Sequence, residues 1–112
     1  MTTIVITPTK VDQDGESEAF TAMITTDTYK VRNNGRVLLH FKKTGAGNAN
    51  VTVVTPKQVS GYAVADQVIV VPATTGDVMM APVNKNLFND AAGDVSFTAD
   101  EATGLTVAAV QI

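Results

Sequence analysis

Residues 29–55 read YKVRNNGRVLLHFKKTGAGNANVTVVT, and this stretch decides the fold class of the 112-residue chain. It is rich in valine and threonine, whose branched side chains lose rotamer freedom in a helix but pack well on a pleated sheet. Val37, Leu39 and Phe41 fall on one face of a strand, as the period of two requires. The Asn34-Gly35 pair accepts the positive φ of a type I′ turn, so it predicts a hairpin between strands at 29–33 and 36–43.

The same pattern extends in both directions from this stretch. Strands are predicted at 3–7, 19–25, 29–33, 36–43, 51–55, 66–71, 78–83, 95–99 and 105–109. Alternation points Val51 and Val53 inward, and likewise the sets Val95, Phe97, Ala99 and Leu105, Val107, Ala109. The continuous run Val68-Ile69-Val70-Val71 predicts a strand buried on both faces. No segment has the length or period of an ordinary helix, so we expect an all-β, single-domain antiparallel β-sandwich of seven to nine short strands, jelly-roll or immunoglobulin-like.

The pattern of strand-forming and turn-forming residues changes near residue 28. Residues 1–27 are predicted to form an N-terminal arm, or first strands, that packs on the domain or extends from it. Residues 28–112 are predicted to form the sandwich core. The start, MTTIVITPTK, lacks the features of a signal peptide, and the longest apolar run is far too short to span a membrane.

Composition narrows the classes of function. The chain has no cysteine, which excludes disulfides and thiolate metal sites. Its net charge of −3 argues against nucleic acid as a partner, because phosphate binding needs a cationic surface.

The sequence contains no recognisable group of catalytic residues. His40 is the only histidine, and it is predicted to lie on the surface or between subunits. No serine stands in a nucleophile motif, so the chain is predicted not to be an enzyme and to need no cofactor. The stretch Asp12–Glu16 has its glycine at the fourth position rather than the sixth of an EF-hand, which leaves calcium binding of another geometry as an alternative.

Three groups of residues are candidates for contacts with partners. The first is the apolar strand near the amino terminus, the second is an acidic loop, and the third is a methionine pair suited to an adaptable contact. They are Ile4, Val5 and Ile6; Asp12, Asp14, Glu16 and Glu18; and Met79 and Met80. The strand at 3–7 is expected to be able to add to the sheet edge of a neighbour.

Several short motifs carry a resemblance to a known group of proteins. They are Asn34-Gly35-Arg36-Val37-Leu38-Leu39-His40, Val51-Thr52-Val53-Val54-Thr55-Pro56, Ala65-Asp66, Val71-Pro72-Ala73, Asn89-Asp90 and Val107-Ala108-Ala109. Between about Asn34 and Val110 the chain resembles small proteins of tailed bacteriophages that are encoded beside the major capsid protein. Several proteins of that type are head decoration, or cement, proteins.

This resemblance implies a structural virion protein on the outside of the capsid, made in the host bacterial cytoplasm. Its expected partners are the major capsid protein and further copies of itself, with a trimer favoured slightly over a dimer. A non-catalytic binding module directed at carbohydrate or at a host surface is the alternative. For that alternative Tyr62 is the candidate aromatic contact.

Overall fold

A computed structural model describes residues 3–17, 19–81 and 85–111, and nearly all regular secondary structure in these ranges is β. The strands are β1 (Thr3–Ile6), β2 (Thr9–Lys10), β3 (Thr21–Ala22), β4 (Thr28–Arg32), β5 (Val37–Lys43), β6 (Ala49–Val53), β7 (Gln58–Val59), β8 (Tyr62–Ala63), β9 (Gln67–Val71), β10 (Gly76–Met80), β11 (Asp94–Ala99) and β12 (Leu105–Gln111). One helical turn, α1 (Lys85–Phe88), precedes β11.

Two sheets pack face to face, which confirms the predicted β-sandwich. The first sheet has the order β1-β4-β11-β6-β9, and the second has the order β10-β5-β12-β2, with β3 also paired to β12. Both sheets are mixed rather than antiparallel throughout, because β1 runs parallel to β4 and β2 runs parallel to β12. The two parallel pairs arise where the amino-terminal strands join the edges of sheets built by the rest of the chain.

The core lies between the sheets and has the inward residues that alternation predicts. Val37, Leu39 and Phe41 of β5 face the interior, together with the predicted residues of β6, β11 and β12. At its centre the Phe97 ring lies 5.8 Å from the Tyr29 ring, stacked, and 5.8 Å from the Phe41 ring, edge-on. Burying side chains of this size stabilises a fold by roughly 1.5–3 kcal/mol each.

The predicted hairpin at Asn34-Gly35 is wrong. This turn joins β4 of the first sheet to β5 of the second, so its flanking strands do not pair. Only Gly35 of the pair has a positive φ, at 87°. The Asn33 side chain shapes the corner by accepting a hydrogen bond from the Gly35 N–H at 2.9 Å and donating to Asn89 Oδ1 at 2.8 Å.

A tight hairpin does occur elsewhere, between β7 and β8, in a region where no strand was predicted. Ser60 and Gly61 have φ of 52° and 82°, which matches the two positive values of a type I′ turn. The base is tied by Thr55, whose hydroxyl donates to the carbonyl oxygen of Val64 and whose N–H donates to the Asp66 carboxylate at 3.0 Å.

The predicted burial of both faces of the run at residues 68–71 is also wrong. Strand β9 is the last strand of the first sheet and pairs only with β6. Its outward side chains, Val68 and Val70, are 50% and 52% exposed, whereas Val71 is buried and Ile69 is half-buried. An apolar run can therefore mark an edge strand as well as a central one.

The amino-terminal residues contribute to both sheets. β1 lies at the edge of the first sheet, and its Ile6 side chain is 5% exposed within the core. Pro8 then leads the chain to β2 at the edge of the second sheet. The strand predicted at 19–25 is limited to β3, because only Thr21 and Ala22 pair with β12. The strand predicted at 78–83 begins earlier, at Gly76, and residues 82–84 lie outside the described ranges.

One lysine is part of the interior. The Lys43 side chain is fully buried at the end of β5, where its Nζ donates a hydrogen bond to the carbonyl oxygen of Thr103 and lies 3.9 Å from Glu101 Oε1. A buried ammonium group is tolerated when it is hydrogen-bonded and paired in this way. Lys43 thus ties β5 to the turn that precedes β12.

Candidate interaction surfaces

The predicted apolar candidates near the amino terminus occupy one strand but face different ways. Val5 points outward from β1 and is 73% exposed, whereas Ile6 is buried and Ile4 is half-buried against the core. Of these three residues, only Val5 is largely exposed in the isolated chain. Ile4 and Ile6 hold the strand in place.

The predicted acidic loop lies between β2 and β3 and is open to solvent. Asp12, Asp14 and Glu16 are all exposed, and the Asp12 carboxylate accepts a hydrogen bond from the Asp14 N–H at 3.0 Å. Glu18, the fourth candidate, lies outside the described residues. Within the described part of the chain, no three His, Asp or Glu side chains are grouped closely enough to hold a metal ion.

The methionine pair divides between the two faces of β10, as strand geometry requires. Met79 points outward and is 62% exposed, whereas Met80 is half-buried against the core. Met79 lies directly opposite His40 of β5 in the sheet register. It therefore belongs to the outer face of the second sheet.

The three candidate groups do not form one site. β1 and β2 are joined through Pro8 at one flank of the sandwich, whereas β9 and β10 contact each other at the opposite flank. Val5 and Met79 consequently lie on opposite flanks and on different sheets.

A cluster on the outer face of the second sheet was not predicted. His40 is only 6% exposed, so its predicted surface position is wrong. The Phe20 ring covers it edge-on at 5.4 Å, and Lys42 Nζ lies 5.4 Å from the centre of the same ring. Phe20 comes from a segment without regular structure, so alternation along β5 gave no sign of it.

Asp77 completes this cluster. His40 Nε2 and Asp77 Oδ1 form a short hydrogen bond across the β5–β10 pair. The hydrogen bond with His40 is the main cause that lowers the pKa of the Asp77 carboxyl; burial opposes it, and the charges of His40 and Lys42 lower the pKa further. Because a phenyl ring covers the imidazole, this pair is better suited to joining two strands than to exchanging protons with a substrate.

Two basic residues of β4 are paired with carboxylates. Lys30 Nζ lies 3.5 Å from Asp90 Oδ2, and Arg32 Nε lies 3.2 Å from Asp94 Oδ1. Hydrogen bonds from the backbone N–H groups of residues 94 and 92, with the nearby Lys30 charge, hold the pKa of Asp90 below its usual value. Lys43 is buried, whereas Arg36 and Lys42 remain exposed to solvent.

A shallow depression of about 500 Å³ lies beside the β11–β12 turn, lined on one side by Met23 and Ile24. Its carboxylates are already engaged. Asp100 accepts from the Asn50 N–H at 2.8 Å and from the Asn50 side-chain amide at 3.0 Å, while Glu101 accepts from the Thr103 N–H at 2.7 Å. These hydrogen bonds lower the pKa of both carboxyls, which keeps them ionised and makes them poor general acids.

Tyr62 stands on the β7–β8 hairpin and is 79% exposed. The hairpin is pre-shaped by its type I′ turn and its anchored base, so a partner would meet the ring on a fixed support. It is a single ring rather than a platform of several.

Comparison with protein-family models, with curated proteins and with solved structures finds no match to this chain. The resemblance to phage head decoration proteins therefore stays a prediction. No helix in the described residues is long and apolar enough to cross a membrane.

Proposed function

We propose that this chain is a structural virion protein, a decoration protein that binds the outer surface of a phage capsid and stabilises the head. One observation carries the proposal beyond the sequence resemblance. The exposed apolar side chains of the described residues include Val5, Val68, Val70 and Met79, which lie on strands at the edges of the sheets. Apolar side chains in such positions suit contact with other protein surfaces.

The acidic loop gives this proposal an electrostatic component. Asp12, Asp14 and Glu16 are exposed and lie close together in the chain, and the whole protein has a net charge of −3. A basic patch on a capsid subunit would attract such a loop, and many weak contacts repeated over a symmetric shell would hold the protein firmly.

Binding to phage heads tests the proposal. Purified heads that lack the protein are incubated with it, sedimented, and assayed for bound copies per capsid subunit. We expect saturable binding, and we expect Asp12→Asn/Asp14→Asn/Glu16→Gln to bind at least about tenfold more weakly at low salt. Gln13→Ala, in the same exposed loop, is the matched control and should bind like the wild type. A wild-type protein that does not bind heads at any concentration would contradict the proposal.

Tyr62 favours one second candidate, a non-catalytic module that binds carbohydrate or a host surface. An exposed aromatic ring on a rigid hairpin is able to stack on a sugar. The test is the melting temperature with and without capsular polysaccharides, in the wild type and in Tyr62→Ala, with Tyr62→Phe as the control that keeps the ring. A stabilisation that Tyr62→Ala abolishes and Tyr62→Phe retains would support this candidate over capsid binding.

A further inference from the structure

The two edges of the first sheet lack the usual protection of an edge strand. β1 has the sequence TIVI and β9 has the sequence QVIVV, and neither contains a charged residue or a proline. Within the described residues, each pairs on one side only. An uncharged edge strand presents unpaired N–H and C=O groups that another strand can meet, and proteins normally block such edges with charge, proline or very short strands.

The edges of the second sheet do carry such protection. β10 includes Asp77, while β2 and β3 are two residues long and β2 includes Lys10. Among the described strands, unprotected edges are therefore found on the first sheet and not on the second.

The directions of the strands allow the two open edges to meet. β1 runs parallel to β4, and the pairs β4–β11, β11–β6 and β6–β9 are all antiparallel, so β9 runs opposite to β1. A second copy turned about an axis along the strands, so that its strands keep their direction, would set its β1 antiparallel to β9. The inner and outer faces would continue unchanged across the junction.

The side chains at these edges fit the same arrangement. Ile4 and Ile69 are inward residues that the isolated chain leaves half-buried, one at each end of the sheet. Strand pairing would cover both. On the outer face, Val5 would come beside Val68 and Val70, giving cross-strand contacts between branched apolar side chains.

We propose that copies of this chain associate head to tail, with β9 of one copy pairing antiparallel with β1 of the next, and that the contact closes into a small ring. A head-to-tail contact leaves no open edge once it closes, whereas pairing of β9 with β9 would use one edge and leave β1 open. This inference deepens the proposed function, because it names the surface through which copies on a head would meet. It can be tested in solution without any capsid.

The experiment compares two variants that differ at one exposed position. Val5→Asp/Val68→Asp places like charges across the β9–β1 junction, whereas Val5→Lys/Val68→Asp places opposite charges there. Both substitutions are on outward side chains, so both variants should keep the fold, which circular dichroism checks. Mass is measured by sedimentation velocity at low salt, over concentrations up to about 1 mM.

We expect the wild type and the Lys/Asp variant to form the same small oligomer, and the Asp/Asp variant to associate at least about tenfold more weakly. A wild type that stays monomeric throughout would overturn the inference. Two variants that dissociate equally would also overturn it, because β9–β9 pairing depends only on the shared Asp at position 68. A ring that binds no heads would remove the proposed function and leave the pairing intact, whereas monomers that decorate heads would do the reverse.

Discussion

The two sheets share one core but differ in what covers their outer faces and in how their edge strands are protected. The outer face of the second sheet is covered where Phe20 lies over His40, and its edges are charged or very short. The first sheet has valines on its outer face and two uncharged edges. The segment between β2 and β4 thus completes one sheet and leaves the other open. Both sheets bury their inner faces in the common core. Only the second sheet also has a covered outer face and protected edges.

The largest expected effect tests whether the two sheets depend on one core. Phe97→Ala removes the ring between Tyr29 of the first sheet and Phe41 of the second, and should lower the free energy of unfolding by about 3–5 kcal/mol. Urea denaturation followed by circular dichroism and by tyrosine fluorescence should give a single transition. Two separate transitions, with the second sheet surviving, would show that the sheets are stable independently.

The next effect concerns the crossing from the first sheet to the second. Gly76 begins β10, and a Cβ there would lie 2.7 Å from Val71 Cγ1 and closer still to the carbonyl oxygen of Pro72. Gly76→Ala should therefore destabilise the protein by about 1–3 kcal/mol, since backbone must move to relieve the clash. Thermal denaturation measures this. A melting temperature equal to that of the wild type would mean that the backbone between β9 and β10 can move aside at little cost.

A smaller effect tests the cover over the second sheet. Phe20→Ala should cost about 1 kcal/mol, because the ring is only partly buried over His40. Amide hydrogen exchange should quicken in β5, which carries His40 and Lys42 against the ring. Val5→Ala, on the open first sheet, is the control and should change stability by less than about 0.5 kcal/mol. Equal effects of the two substitutions would remove the distinction between a covered and an open sheet.

The smallest effect is a dependence on pH. The folded pKa of Asp77 lies below its ordinary value of 3.8, chiefly because of the hydrogen bond with His40. Its contribution to stability is therefore present above pH 3.8 and is lost as the pH falls through the lower folded pKa. Asp77→Asn should show a shallower acid loss of stability in urea denaturation. Asp90→Asn makes the same test in the first sheet, and identical slopes for all three proteins would refute both assignments.

Alternation along single strands was enough to predict the core. β5, β11 and β12 point the expected side chains inward, because a strand buried on one face has only one register that keeps its apolar side chains from water. The fold class followed from these strands and their turns. The short strands β2, β3, β7 and β8 have too few residues to show a period.

Strand partners could not be predicted from local pattern. Asn34-Gly35 has the residues of a hairpin turn, yet β4 and β5 enter different sheets, where β4 pairs with β11 and β5 pairs with β12. The burial of β9 failed for a similar reason, because its run of valines does not say how many neighbours it has. The His40 cluster depends on Phe20, which approaches from an irregular segment that carries no period.

Because the Lys43 side chain is buried, its reactivity toward amine reagents reports whether the protein is folded. Of the six lysines, it alone has a buried side chain. Reagents that acylate amines will label the other lysines of the intact protein and spare this one, while a chain that has opened between β5 and the turn before β12 will be labelled at all six. Mass spectrometry of the peptide containing residue 43 would thus count unfolded molecules directly, and a cargo coupled through surface amines would leave the interior untouched.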